Sequence, residues 1–89
     1  MEAQGRKLDM ASNAPDAVLD VSRELCPMTF VRTRLRLDQL GPGEVLEVRF
    51  RGAEPRENLP RSLRELGHEL LVLAEGPEAG AGWLRVRKR

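Results

Sequence analysis

Cysteine and aromatic side chains are scarce in this chain. Its 89 residues include one cysteine, one tryptophan, two phenylalanines, no tyrosine and one histidine. A lone cysteine closes no internal disulfide, so the fold must stand without a covalent staple. One Cys and one His are too few for a structural zinc site, which would have to borrow carboxylates or a second chain. One Trp makes no stacking platform for a run of bases. Neither sign of charge dominates: 15 Lys and Arg stand against 14 Asp and Glu, a net charge of +1. That balance predicts no strong general attraction to nucleic acid or membrane. No apolar run approaches the roughly 20 residues a membrane span needs. The first 17 residues, "MEAQGRKLDMASNAPDA", lack the apolar stretch of a secretory signal. A cytoplasmic protein that uses no metal and no membrane is the expectation.

What remains is ordinary for one small globular domain, with 40% hydrophobic and 33% charged residues. Residues 1–16 are small and polar, show no period, and read as a flexible N-terminal tail; residues 17–89 read as the domain. "AVLDV" (17–21) alternates and is β-rich, so it predicts a first strand. From Pro27 to Leu40, Phe30, Thr33, Leu37 and Leu40 recur at helical steps, with Thr33 the weak member of the stripe. "GPG" (41–43) stops that helix. In "EVLEVRFR" (44–51), Leu46, Val48 and Phe50 point one way and Glu47, Arg49 and Arg51 the other, a strand with one buried face. "GAEPRE" (52–57) reads as a loop. Asn58 then caps a short helix from Leu59 to Leu66, with Pro60 in its first turn and Gly67 past its end. "ELLVLAE" (69–75) and "GWLRVRKR" (82–89) read as third and fourth strands. The third is nearly continuous in apolar residues, which suits a central strand better than a partner-covered one.

The order βαβαββ predicts an α/β (α+β) two-layer sandwich, with a mixed four-stranded sheet and both helices on one face. The two βαβ steps favour parallel neighbours, and the last two strands favour a hairpin.

Cys26 sits at the start of the first helix, and Pro27 takes the first helical position, where a missing N–H costs nothing. The unpaired N–H groups that remain in the turn of Pro27, Met28 and Thr29 (Pro27 itself has none) and the positive end of the helix dipole favour an anion by roughly 0.3–1 kcal/mol. A thiolate gains from that placement, as would the more acidic persulfide. Read from spacing alone, a lone Cys is also simply a small buried apolar side chain. No Cys/His or Ser/His/Asp constellation is apparent, because His68 lies far along the chain. A thiol without a base of its own suggests a carrier loaded and unloaded by other proteins, rather than an autonomous catalyst.

"LDVSRELCPMTFVRTRLRLDQLGPGEVLEV", "ENLPRSLRELGHELLVL" and "GWLRVRK" together resemble the TusA/SirA-like sulfur-carrier (sulfurtransferase TusA) family over about residues 18–88. Leu19-Asp20, Cys26-Pro27, Pro42-Gly43-Glu44, Leu59-Pro60 and Gly67-His68-Glu69 carry the likeness in register. The resemblance implies a βαβαββ domain whose Cys26 accepts sulfur as a persulfide. It would be loaded by a cysteine desulfurase or rhodanese-like donor and relay its sulfur to a protein acceptor, in tRNA thiolation or other sulfur metabolism. No cofactor beyond the covalent persulfide sulfur is implied, and tRNA would be reached only indirectly. The chain departs from the family pattern at four places. The family's Cys-Pro-x-Pro has Thr29 as its last residue here, changing the surface shown to partners. Arg23 replaces a Gly before the motif. Glu24 replaces an apolar residue two before the Cys, leaving Leu25 for the core role. Gly52-Ala53 falls where the family has Asp-Pro, so a carboxylate is lost near the thiol.

Two rival readings stand beside the carrier. One is a non-catalytic regulatory or interaction module with an inert Cys26; the other is a small RNA-binding domain using Arg85 and Arg87. Arg85, Arg87 and Arg89 alternate onto one strand face, which more often makes a solvated edge that discourages strand pairing. Arg32, Arg34 and Arg36 suit a solvated helix face, with Arg23, Arg32, Arg34, His68, Arg85 and Arg87 as candidate partner contacts. His68 suits a backbone hydrogen bond at the turn into the third strand, with proton transfer at the thiol as the lesser reading. Trp83 suits packing.

Overall fold

The computed structural model describes residues 14–25 and 27–89. Most of the tail and Cys26 itself lie outside the described residues. The elements run β1 (Ala17–Asp20), α1 (Met28–Asp38), β2 (Val45–Arg51), α2 (Ala53–Glu65), β3 (Glu69–Glu75) and β4 (Ala81–Arg87). They form one four-stranded mixed sheet and two helices in the order βαβαββ.

The sheet order is β1-β2-β4-β3. β1 and β2 pair in parallel, with Ala17 opposite Leu46 and Asp20 opposite Arg49. β4 pairs antiparallel with β2 on one side and β3 on the other. The second βαβ step therefore keeps its strands parallel but not adjacent, because β4 enters between them. The apolar run of β3 belongs to an edge strand, not a central one, and Leu73 is 44% exposed. Conversely β4, whose arginines suggested a solvated edge, is paired on both sides. Strand order depends on contacts distant in sequence, which local patterning does not carry.

β2 follows its alternation. Leu46, Val48 and Phe50 are buried beneath the helices with Leu84 and Val86 of β4, Leu37 of α1, and Leu59 and Leu63 of α2. Gly82 makes room for this core: a Cβ there would come within 2.8 Å of the Phe50 ring. On the opposite face, which no helix covers, Glu47 is only 6% exposed. Its carboxylate accepts from Arg49 Nε at 2.9 Å and Arg85 Nε at 3.1 Å, so the buried charge is paired on both oxygens.

α2 begins two turns earlier than the sequence reading places it. Residues 52–57, expected as a loop, supply its first turn, where the missing N–H of Pro55 is harmless and Glu54 suits the helix dipole. Pro60 lies inside the helix and is buried beside Leu59. Asn58 is then no cap, and its Oδ1 accepts from Arg61. At the other end Gly67 is left-handed (φ 95°), its N–H bonds the Arg64 carbonyl, and the His68 N–H bonds the Leu63 carbonyl. These two bonds define a Schellman stop. Asp16, assigned by sequence to the tail, is fastened: its N–H donates to the Val45 carbonyl, and its carboxylate accepts from Val45 N.

Candidate functional site

Because β1 and β2 are parallel neighbours, their carboxyl ends lie side by side, and each chain segment leaving them enters a helix. The helix starts therefore sit at the same end of the sheet, with their positive dipole ends at its rim. From β1, residues 21–27 lead to α1. Val21 is 1% exposed and its N–H continues the pairing to the Arg49 carbonyl. Ser22 N donates to Asp20 Oδ1 at 2.8 Å, which starts the turn. Hydrogen bonds from the Ser22 side chain and backbone, aided by Arg49 and Arg23, hold the Asp20 carboxyl below its ordinary pKa.

Glu24 N then bonds the Val21 carbonyl, and Glu24 forms an ion pair with Arg32 Nε at 2.9 Å. This pair spans the segment that contains residue 26 and ties it to the first turns of α1. Val21 fills the core here, whereas Leu25 is 81% exposed. The expectation that Leu25 takes the core role is therefore corrected: the pairing of Val21 with β2 buries that position first.

Pro27 is the cap residue of α1 rather than its first helical residue, and its carbonyl accepts the Val31 N–H at 3.1 Å. Met28 N bonds the Leu25 carbonyl at 2.6 Å. No side chain caps the helix, and its first turn contains no acidic residue, so the nearest carboxylate along the chain is Glu24, which is engaged with Arg32. Met28 is 44% exposed, but Thr29 is only 2% exposed and so lies beneath the surface shown to a partner, not on it. The local hydroxyl bond of this turn comes from Thr33, whose Oγ1 donates to the Thr29 carbonyl at 2.8 Å. That bond satisfies a fully buried hydroxyl in the stripe.

From β2 the route is shorter. Gly52, at φ 109°, passes directly into α2, which also lacks a side-chain cap. Between the two helix starts lies an open cleft of about 270 Å³, lined by Glu24, Leu25 and Thr29 on one side and Arg51, Gly52, Ala53, Glu54 and Pro55 on the other. The Gly52-Ala53 turn thus adjoins the β1–α1 segment. The carboxylate missing at those two positions returns one residue later, as Glu54. Sequence reasoning missed Arg51, Glu54 and Pro55, since only the pairing of β1 with β2 brings them here.

The remaining predicted residues lie elsewhere. Arg23 is exposed in the loop and Arg34 on α1. Arg85 pairs with Glu47 and stacks over Trp83 at 5.0 Å on the uncovered sheet face, while Arg87 pairs with Glu69 at 2.9 Å. A groove of about 600 Å³ crosses that face, but its walls pair their own charges: Glu47 with Arg49 and Arg85, Arg51 with Glu78. His68 lies at the opposite end of the sheet from the helix starts, where its Nδ1 accepts the Arg89 N–H at 3.1 Å. That bond is the backbone role expected of it. Burial, with Lys88 and Arg89 nearby, lowers its pKa against the opposing pull of Asp38. Among the described residues, no group of three His, Cys, Asp or Glu side chains could hold a metal ion, and no helix is long and apolar enough to cross a membrane.

Comparison with known proteins agrees with this architecture. The family described as sulfurtransferase TusA matches residues 17–88. The chain belongs to the TusA sulfurtransferase family. It is 35% identical over 79 residues to a sulfur-carrier relative from Thermotoga maritima, spanning 88% of this chain and 100% of that one. It is 32% identical over 80 residues to sulfur carrier protein TusA of Pseudomonas putida strain W619, spanning 90% and 98%. The crystal structure of a SirA-like protein from Desulfitobacterium hafniense superposes with a TM-score of 0.70 over 80% of this chain and 95% of that one. At 21% identity, this last likeness speaks to the shared fold.

Proposed function

We propose that this TusA-family chain is a sulfur carrier that holds sulfur as a persulfide on Cys26. The observation that carries the reading is the family match across the domain, joined to a helix start with no side-chain cap and no acidic first turn directly after Cys26-Pro27. Such a start favours an anionic sulfur. In the transfer, the Cys26 thiolate attacks the outer sulfur of a donor persulfide. One S–S bond forms, the donor's S–S bond breaks, and the donor leaves as a thiolate, with no net oxidation. The reverse exchange passes the sulfur to a protein acceptor. No cofactor is consumed, and the carrier needs no base if its thiol is already ionised. A cysteine desulfurase or a rhodanese supplies the sulfur, in the reducing cytoplasm that keeps such a thiol open. RNA binding through Arg85 and Arg87 has less support, since both are engaged with carboxylates on the sheet.

Incubating the reduced protein with a cysteine desulfurase and cysteine, then taking an intact mass, tests the reading. Wild type gains the mass of one sulfur atom and Cys26→Ser gains none. No gain on wild type, or equal gain on Cys26→Ser, overturns it.

A further inference from the structure

We propose that the Thr29 hydroxyl is the hydrogen-bond donor that holds the Cys26 sulfur in its anionic form. The inference rests on the carrier reading above and adds a donor to its chemistry, at the position where the family's Cys-Pro-x-Pro ends in proline. Two threonines lie on the buried stripe of α1, and their hydroxyls are used differently. Thr33 is fully buried, and its Oγ1 donates to the Thr29 carbonyl at 2.8 Å. Thr29 is only 2% exposed, yet among the described residues its Oγ1 has no hydrogen-bond partner. A buried hydroxyl left unpaired costs stability, and protein interiors pair nearly all of theirs. The exception calls for a ligand.

The place of Thr29 in the fold supplies one. It is the second residue of α1, after Met28, and it lines the cleft between the two helix starts. Its burial leaves little room for a partner protein's side chain, whereas a sulfur carried three positions earlier in the same segment needs no such access. The charged groups of the cleft leave the hydroxyl unused. Glu24 pairs with Arg32 at 2.9 Å, Arg51 pairs with Glu78, and Glu54 stands in the first turn of α2. Two of these three lining charges are carboxylates, which oppose an anion here. The uncapped start of α1 and an O–H donor work against that opposition. A thiolate accepts a strong hydrogen bond and a neutral thiol only a weak one, so the hydroxyl selects the charged form. The thiol is thereby open to a donor's sulfur without a base of its own.

The test compares three variants. Thr29→Val keeps the branched shape and removes the hydroxyl, Thr29→Ser keeps the hydroxyl, and Thr29→Pro restores the family's residue in a first turn that tolerates it. The Cys26 thiol is titrated by the ultraviolet absorbance of its thiolate and by the pH dependence of iodoacetamide alkylation. Thr29→Val and Thr29→Pro raise the midpoint by about one pH unit, which leaves about tenfold less thiolate below it. Thr29→Ser stays close to wild type. Sulfur uptake from inorganic polysulfide below both midpoints slows by about threefold in Thr29→Val, because the more basic thiolate is also the better nucleophile. Glu24, Arg51 and Glu54 are the same in every variant, so they cannot produce the difference. Having no partner to lose within the protein, Thr29→Val keeps or raises the thermal unfolding midpoint. An unchanged thiol midpoint in Thr29→Val overturns the proposal, as does a shift in Thr29→Ser as large as that in Thr29→Val. A lowered unfolding midpoint with an unchanged titration would assign the hydroxyl to the packing of α1 and overturn it too. Failure of the carrier reading has a separate signature: Thr29→Val shifts the thiol midpoint as expected, yet wild type takes up no sulfur from a cysteine desulfurase.

Discussion

The two ends of the sheet are built differently. At the end away from the site, both helix termini are closed by the chain itself. Lys88 Nζ donates to the Leu37 carbonyl at 2.8 Å, and α2 stops in its Schellman turn. Backbone bonds between Gly43 and Lys88, between Lys88 and Glu44, and between Asp16 and Val45 sew the strand ends together. At the site end, both helices start without side-chain caps and Leu25 stands in solvent. The ion pair across its loop, Arg32 with Glu24, is partly exposed and contributes little to stability. One end therefore anchors the fold, and the other leaves its dipoles and apolar surface available for chemistry.

This contrast predicts a graded response to mutation. The core both ends share is the most sensitive: Leu37→Ala, at a fully buried position, should cost about 2–5 kcal/mol in a denaturant titration. Gly67→Ala forces a side chain into a left-handed conformation (φ 95°) at the closed end and should cost about 1–2 kcal/mol by the same measurement. Lys88→Met removes the charged donor from the Leu37 carbonyl but keeps the aliphatic stem, a loss of about 1 kcal/mol. Leu35→Gln, two residues from Leu37 but 58% exposed, should stay within about 0.5 kcal/mol of wild type. If Leu35→Gln cost as much as Leu37→Ala, the outer face of α1 would be a packing surface and the contrast would fail.

Much of this was legible in the chain, and the exceptions have physical causes. The alternation of Leu46, Val48 and Phe50 and the left-handed Gly67 are local signals, and the structure follows them. The start of α2 is not legible because residues 52–57 read as a loop and Asn58 as a cap, while tertiary burial of Pro55, Leu59 and Pro60 supports a helix that begins at Ala53. The insertion of β4 between β2 and β3 is a long-range choice. The start of α1 beside Cys26 could be read from Pro27 and the apolar period. The opposing wall of the cleft, Arg51 with Glu54 and Pro55, could not, because it needs β1 and β2 to be parallel neighbours. Leu25 is expected inward because Glu24 stands where the family has an apolar residue, yet Leu25 is 81% exposed and Val21 is the residue of this segment buried in the core.

The smallest predicted effect probes the anchoring end through its only histidine. Nδ1 of His68 accepts the Arg89 N–H, so that nitrogen holds no proton in the native state and the ring is neutral. Partial burial and the nearby Lys88 and Arg89 charges also disfavour the imidazolium, which lowers the pKa from its usual 6.5. The unfolded chain then binds a proton at a higher pH than the folded one does. The stabilisation is fully present above the unfolded value near 6.5, and declines as pH falls below it until the folded ring also protonates. Unfolding midpoints measured from pH 8 to pH 5 should therefore fall for wild type, and His68→Gln should flatten that part of the profile. A wild-type midpoint that rises on acidification would mean that Asp38 governs the ring instead. A parallel fall in both proteins would assign the pH response to other groups and leave His68 with no measurable part in closing this end of the sheet.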